Sequence, residues 1–160
     1  MDIRHARPED VVSLLETMRL AFCEVGSEFS IPPPDLPYAM QAMLDQIAQG
    51  LVHVALDGGR VVGVIALGIN RWPWTAPTNI AGRYLFNEYF WVERAHRHHG
   101  TSRKLLDAAK GTADTLGLPL MIEMASGGVD APLKDKFVKG QGFVYAGGKF
   151  FRAPRAISGT

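Results

Sequence analysis

A single strand–helix–strand unit constrains this chain more than any other part of its sequence. The stretch "RYLFNEYFWV", residues 83–92, is aromatic, β-rich and bounded, the pattern of a buried strand. Leu105, Leu106, Ala109, Ala113 and Leu116 then recur at helical spacing, and Gly117 and Pro119 stop that helix. "LPLMIEM", residues 118–124, reads as a second strand. Strands joined through a helix pair in parallel, with a right-handed crossover. Residues 84–92 are therefore expected beside 118–124, with the helix on one face of their sheet.

The remaining segments build outward from that unit. Residues 2–6 read as a first strand, and "RPED" opens a helix, with Pro8 early and two acids in the first turn. Val11, Leu14, Leu15, Met18, Phe22 and Val25 keep helical spacing. After the break "IPPPDLP", residues Tyr38, Met40, Met43, Leu44 and Ile47 suggest a second helix ending at Gly50. "LVHVALDGGRVVGVIALGI" is two β-rich runs around an Asp-Gly-Gly turn, a hairpin. "LKDKFVKGQ" reads as a short helix and "GFVYAGGKFFR" as a closing hairpin. The order β-α-α-β-β-β-α-β-α-β-β predicts one α+β domain over residues 1–160. Its sheet is mixed and mostly antiparallel, with about seven strands and helices on both faces.

Composition narrows the partners. Lys plus Arg is 17 and Asp plus Glu is 16, so no global charge field draws the chain to nucleic acid or to a membrane surface. The run "VVGVIALGI" is too short to span a bilayer, and "MDIRHARPED" lacks the apolar stretch of a signal peptide. One cysteine, Cys23, excludes an internal disulfide and suits a reducing cytoplasm; its place in an apolar helical pattern predicts a core thiol.

The chemistry concentrates in the turn "ERAHRHHGTSRK" between strand and helix. The first amides of a helix lack intrahelical partners and carry partial positive charge, so amides near His98, His99, Gly100, Thr101 and Ser102 suit an anion, most usefully a diphosphate. Gly100 offers no Cβ to block approach, Thr101 and Ser102 offer hydroxyls, and Arg97 and Arg103 add charge. The spacing is not that of a nucleotide-binding P-loop. Arg-x-x-Gly-x-small arises by chance in roughly one chain in seven of this length, so its weight lies in its context after a strand and before a helix. His96, His98 and His99 lack the carboxylate or cysteine complement of a metal site.

In that context "WVERAHRHHGTSRKLL" is similar to the Val-x-Pro-x-x-Arg-x-x-Gly-x-Gly/Ala signature of the GNAT superfamily of acyl-CoA N-acyltransferases. Val92, Arg97, Gly100 and Ser102 occupy the matching places, with Arg94 where the family often has proline. "DKFVKGQGFVYAGG" resembles the family's later Phe-Tyr-x-x-x-Gly-Phe segment through Phe137, Gly142 and Phe143. The element order agrees over nearly the whole chain, and the aromatic fourth strand looks closest to compact bacterial and phage-encoded members. The resemblance implies acetyl-CoA as cofactor. Its pyrophosphate would rest on amides 98–102 and its pantetheine arm would pair near Phe90 and Val92. That pairing would lie inside a splay between strands 84–92 and 118–124, with Phe137 flanking the thioester.

Acetyl transfer to an amine requires the ammonium, with pKa near ~10, to lose a proton. A carboxylate is the usual remedy. Glu88 is the candidate base: strict alternation puts it on one strand face with Phe90 and Val92, near the splay. Its other reading is a strand glutamate paired with an arginine. Glu93, of opposite parity, and Glu123, on the neighbouring strand, are weaker candidates, and an amide near residue 90 suits an oxyanion donor. Many relatives place a tyrosine after the phenylalanine matched to Phe137; here it is Val138, which leaves Tyr145, Ser126 or water to protonate the thiolate, or no acid at all. Trp72, Trp74, Tyr38 and Phe29 either line an acceptor pocket or cover the core. Three functions follow: an N-acetyltransferase acting on a primary amine of a small molecule or protein, a CoA-binding module of the same fold with little catalysis, and an unrelated phosphate-anion binder. Edge strands of the terminal hairpin suit a homodimer.

Overall fold

The Asp-Gly-Gly turn sets the centre of the sheet. In a computed structural model, which describes residues 1–25, 33–123 and 131–144, strands β2 (Val52–Asp57) and β3 (Arg60–Arg71) are joined by Gly58 and Gly59 alone. Their φ angles of 56° and 84° lie in the left-handed region that a two-residue hairpin turn demands. β1 (Asp2–His5) pairs antiparallel with β2, and β4 (Arg83–Val92) antiparallel with β3. β5 (Leu120–Met121) is added in parallel to β4, giving the order β1-β2-β3-β4-β5. The α+β class and the predicted parallel pairing are both present. The sheet differs from the expectation in two respects: it has five strands among the described residues, not about seven, and its parallel edge strand is two residues long rather than 118–124. The expected closing hairpin lies mostly outside the described residues.

Helices cover both faces. α1 (Val11–Val25), entered through a 3-10 turn at Pro8–Asp10, and α2 (Leu36–Ala48) pack Leu14, Met43 and Ile47 against Val52, Val54, Val64, Ala66 and Trp91. α3 (Thr101–Leu116) packs Leu105, Leu106, Ala109 and Ala113 against the other face with Ala55, Val62, Ile65, Leu67, Leu85 and Val92. α3 lies close to the sheet at Gly63, where a Cβ would stand 3.1 Å from Leu105 Cδ1. Its end follows from the sequence: Gly117, at φ 64°, turns the chain, and Leu118 N–H closes on Ala113 O at 3.0 Å before Pro119. α4 (Ala131–Lys139) follows β5.

Local chemistry fixes the ends of these elements. Asp10 is buried, accepts two hydrogen bonds from the Arg4 guanidinium at 2.7 and 3.0 Å, and accepts a third from Arg7 N–H at 2.7 Å. Asp35 caps α2 by accepting from Tyr38 N–H at 3.2 Å. Under α3, His53 is buried with its Nε2 2.8 Å from Thr112 Oγ1 and its ring 4.4 Å from that of His5. Burial, with His5 nearby, pushes the His53 imidazole down to about 4. Cys23 is exposed, contrary to the expected core thiol. At 100° per residue it stands on the side of α1 opposite the buried Leu14, so an apolar helical pattern alone misplaced it.

Candidate active site

Among the described residues the pairing of β4 with β5 ends early, and two features mark the place. The first is Asn87. β4 and β5 are in register only at Leu85↔Leu120 and Phe86↔Met121. At the next position the Asn87 side chain intervenes, its Nδ2 donating to Glu123 O at 2.7 Å and its Oδ1 accepting from Glu123 N–H at 2.6 Å. The second is a β-bulge. The β3–β4 register passes from Ala66↔Tyr89 to Leu67↔Asn87, which leaves Glu88 as the extra residue.

Backbone direction follows from this. Leu85 N–H donates to Pro119 O on the β5 edge, whereas Glu93 N–H donates to Val62 O on the β3 edge. Counting back from Glu93 by alternation turns Trp91 and Tyr89 toward β3, so Phe90 and Val92 present their N–H and C=O groups to the β5 edge. That is five residues beyond Leu85, an odd interval that only the bulge permits on one edge.

The same bulge overturns the expected placement of Glu88. Phe90 and Val92 pack with the α3-side core, whereas Tyr89 and Trp91 pack with the α1–α2 side. Glu88 joins the latter face. Its carboxylate is exposed, lies beside Gly68 and accepts a hydrogen bond from Gln46 Nε2 of α2. Gln46 also donates to Leu67 O at 3.3 Å, so α2 is tied to both strands at the bulge. Among the described residues no arginine pairs with Glu88. Glu93 does take an arginine: Arg60 holds it at 2.7 Å and keeps its carboxyl below the usual range, and His96 lies 3.0 Å away. Glu123 supplies the main-chain groups that Asn87 bridges.

The turn after β4 is a 3-10 helix, Arg94–His99, that ends at Gly100 with φ 76°. The first main-chain bond of α3 runs from Lys104 N–H to Gly100 O at 3.1 Å. The amides of Thr101, Ser102 and Arg103 therefore precede the helical ladder, and the N-cap residue Gly100 has no side chain to cap them. A Cβ at Gly100 would meet no atom within 4 Å, so its left-handed backbone, more than crowding, calls for glycine.

Three side chains of the turn differ from expectation. Arg97 folds back, its Nε donating to Val92 O at 2.8 Å and its terminal nitrogen to Glu24 Oε2 at 2.5 Å, where Trp91 Nε1 also donates at 3.2 Å. Thr101 is fully buried and its hydroxyl donates to His96 O at 2.9 Å, so it does not face an incoming anion. Arg103 approaches the Gln141 side-chain amide, whose oxygen can accept from both guanidinium donors at 3.1 and 3.2 Å. Ser102 is half-buried and His99 exposed, while the His98 side chain lies outside the described residues.

Two neighbouring groups complete the surroundings. Phe137 of α4 is half-buried against the α3-side core together with Phe143, and Val138 beside it brings no proton donor. On the other face a ladder of rings leads away from the bulge: Phe86 to Tyr84 at 6.3 Å, Tyr84 to Trp72 at 4.6 Å, and Trp72 stacked on Trp74 at 5.2 Å. Trp74 and Tyr38 are exposed, so they do not cover the core. Phe29, Ser126 and Tyr145 lie outside the described residues. Among the described residues no three His, Cys, Asp or Glu side chains gather as a metal site, and no helix is long and apolar enough to cross a membrane.

Asn87, Gln46 and Glu24 were not singled out from sequence. Only Asn87 leaves a trace there, as a poor strand former inside an otherwise aromatic run.

The fold is a mixed sheet whose fourth strand leaves its parallel partner at Asn87 among the described residues and runs into the turn that begins α3. The sequence model of the acetyltransferase (GNAT) family matches residues 15–133, and the chain belongs to that family. Solved structures agree in fold. A predicted acetyltransferase from Clostridium acetobutylicum, determined with acetyl-CoA, has a TM-score of 0.69 at 16% identity, over 95% of this chain and 95% of its own. An aminoglycoside 6'-N-acetyltransferase from Acinetobacter haemolyticus has 0.66 at 15% identity, over 97% and 99%. An integron cassette protein from the mobile metagenome of Cole Harbour salt marsh has 0.68 at 22% identity, over 96% and 90%. No curated protein matches the chain in sequence.

Proposed function

We propose that this protein transfers an acetyl group from acetyl-CoA to a primary amine. One observation carries the reading: beyond its last pairing with β5 among the described residues, the β4 edge at Phe90 and Val92 lies between the amides at the start of α3 and the bulge at Glu88. The residues suit the cofactor. Open space at Gly100 and the amides of Thr101, Ser102 and Arg103 fit a diphosphate. The N–H and C=O of Phe90 and the N–H of Val92 offer an amide-bearing arm hydrogen bonds on that edge, while the Val92 carbonyl already accepts from Arg97 Nε. Arg97 fixes the Val92 end of that edge, and Phe137 of α4 packs against the same core as Val92.

Acetyl-CoA, when bound, supplies the activated thioester. Glu88, on the opposite face, accepts the proton of an incoming ammonium directly or through water, and Gln46 holds its carboxylate in place. Phe90 N–H is a donor for an oxygen that gathers negative charge. Val138, where a tyrosine would offer a proton, brings no donor, and a thiol with a pKa near ~8.5 would need none to depart. The rings from Phe86 to Trp74 form the acceptor side. The relatives that carry aminoglycoside-modifying names support an amine acceptor as a class.

The same valine supports a second reading, a CoA-binding module that turns over feebly. Steady-state release of free CoA thiol over a panel of amines decides between them. Thiol release at more than tenfold the rate without amine supports transfer, whereas calorimetric CoA binding with no amine-dependent release supports the module. Absence of CoA binding removes both.

A further inference from the structure

We infer that Asn87 is the spacer that sets the width of the opening between β4 and β5, and so acts as a positioning residue for the acyl donor. The bonding pattern carries this. In a parallel ladder at the observed register, Leu85 N–H bonds Pro119 O, and two residues on, Glu123 N–H should take the main-chain carbonyl of residue 87. It takes the Asn87 side-chain oxygen instead, at 2.6 Å, while the same amide group donates back to Glu123 O at 2.7 Å. A side-chain amide has been inserted where main chain would meet main chain. It satisfies one donor and one acceptor of β5 while holding the two backbones apart by the length of a side chain. Asn87 is 8% exposed and Glu123 is exposed, so these bonds are partly sheltered from solvent.

The position is decisive. One residue further along β4 is the bulge, and the next groups facing the β5 edge belong to Phe90 and Val92. Asn87 therefore ends the pairing of β4 with β5 among the described residues, one position before the bulge. A shorter side chain removes the spacer and lets the strands continue pairing. A carboxylate of the same shape keeps the acceptor but sets it against Glu123 O. Glutamine carries the same amide one methylene further and holds the strands wider.

This rests on the acyltransferase reading for its consequence but not for its geometry, and the test separates the two. In the ligand-free protein, amide exchange followed by NMR should show the Glu123 amide protected and the Phe90 and Val92 amides fast. In Asn87→Ala, Phe90 and Val92 should slow at least tenfold as the strands close. Kinetically, Asn87→Ala should raise the KM for acetyl-CoA, and the calorimetric Kd for CoA, at least tenfold, with the KM for the amine unchanged. A lost fold would raise both. Should Asn87→Ala fail to fold, Asn87→Asp serves, with Glu123 protection reduced at least tenfold and the same KM split. Equal exchange at Glu123, Phe90 and Val92 in wild type and variant would overturn the spacer. So would a CoA affinity within twofold of wild type. A wild-type protein that binds no CoA, yet shows the exchange pattern, would overturn the acyltransferase reading and leave the spacer standing.

Discussion

Gly68→Ala tests the proposed base without touching it. Gly68 sits on β3 opposite Phe86 and beneath the bulge. A Cβ there would lie 2.8 Å from Glu88 Cδ and 2.9 Å from Phe86 Cε1, and closer still to Glu88 Oε1. Ordinary carbon contacts are ~3.5–4.0 Å, so both side chains must withdraw by roughly 1 Å. Glu88 is exposed and flexible, so it yields at little cost in stability; what it loses is its place beside Gln46. Replacing glycine by alanine inside a strand also recovers about 0.5–1 kcal/mol of backbone entropy, which offsets the crowding of Phe86. We expect a net change within about 1 kcal/mol, and a melting shift of no more than ~2–4 °C for a chain of this size. Turnover should respond far more, since a displacement of ~1 Å in a reacting group costs about 10²-fold. The assay is steady-state thiol release near neutral pH with an active amine, alongside a calorimetric titration with CoA. The reasoning predicts a fall in kcat near a hundredfold with CoA affinity retained. A folded Gly68→Ala with wild-type kcat would refute it, because the Glu88 carboxylate would then be free to move without consequence.

Glu88→Gln should lower kcat much more than CoA affinity, with the loss shrinking as pH approaches the ~10 at which an alkylamine deprotonates itself; a pH–rate profile of the variant reads this directly. Gly100→Glu should abolish CoA binding by calorimetry, since it places a like charge at the diphosphate seat and strains a left-handed position, and unchanged affinity in a folded variant would remove the turn from the site. His53 makes stability acid-sensitive. Its folded value, about 4, is depressed below the ordinary ~6.5, so the unfolded chain binds more protons between them, and its contribution, complete above ~6.5, is lost as pH falls toward 4. Denaturant midpoints measured across that window should fall less steeply in His53→Gln than in wild type.

What sequence could reveal was whatever repeats or punctuates. Alternation and a Gly-Gly pair marked the β2–β3 hairpin. The 3.6-residue spacing marked α3, and the helix-breaking Gly117 and Pro119 marked its end. The signature turn could be read because a motif records which residues are present. Where their side chains point is another matter. Arg97 turns to Glu24, 73 positions earlier, and Thr101 turns inward, because tertiary partners outbid the local setting. The bulge was illegible for a related reason. One added residue in "FNEYF" changes no composition and breaks no apolar run, yet it shifts every later side chain to the other face. Glu88 does lie on β4, as the extra residue of the bulge, but on the face opposite to the one that alternation gave it.

The order in which β4 acquires its neighbours has a consequence for the chain's entropy. Joining β2 to β3 closes two residues, joining β3 to β4 closes residues 72–82, and joining β4 to β5 closes residues 93–119. Each doubling of a closed loop costs about 0.6 kcal/mol, so the last join begins roughly 2 kcal/mol behind the first. It has the fewest bonds with which to recover that deficit, two residue pairs and one side-chain amide. Strands β2, β3 and β4 can thus assemble from near neighbours, while the parallel strand waits for a whole helix to fold back across the sheet. Of the strand pairings along β4, the one beside the opening costs least to separate.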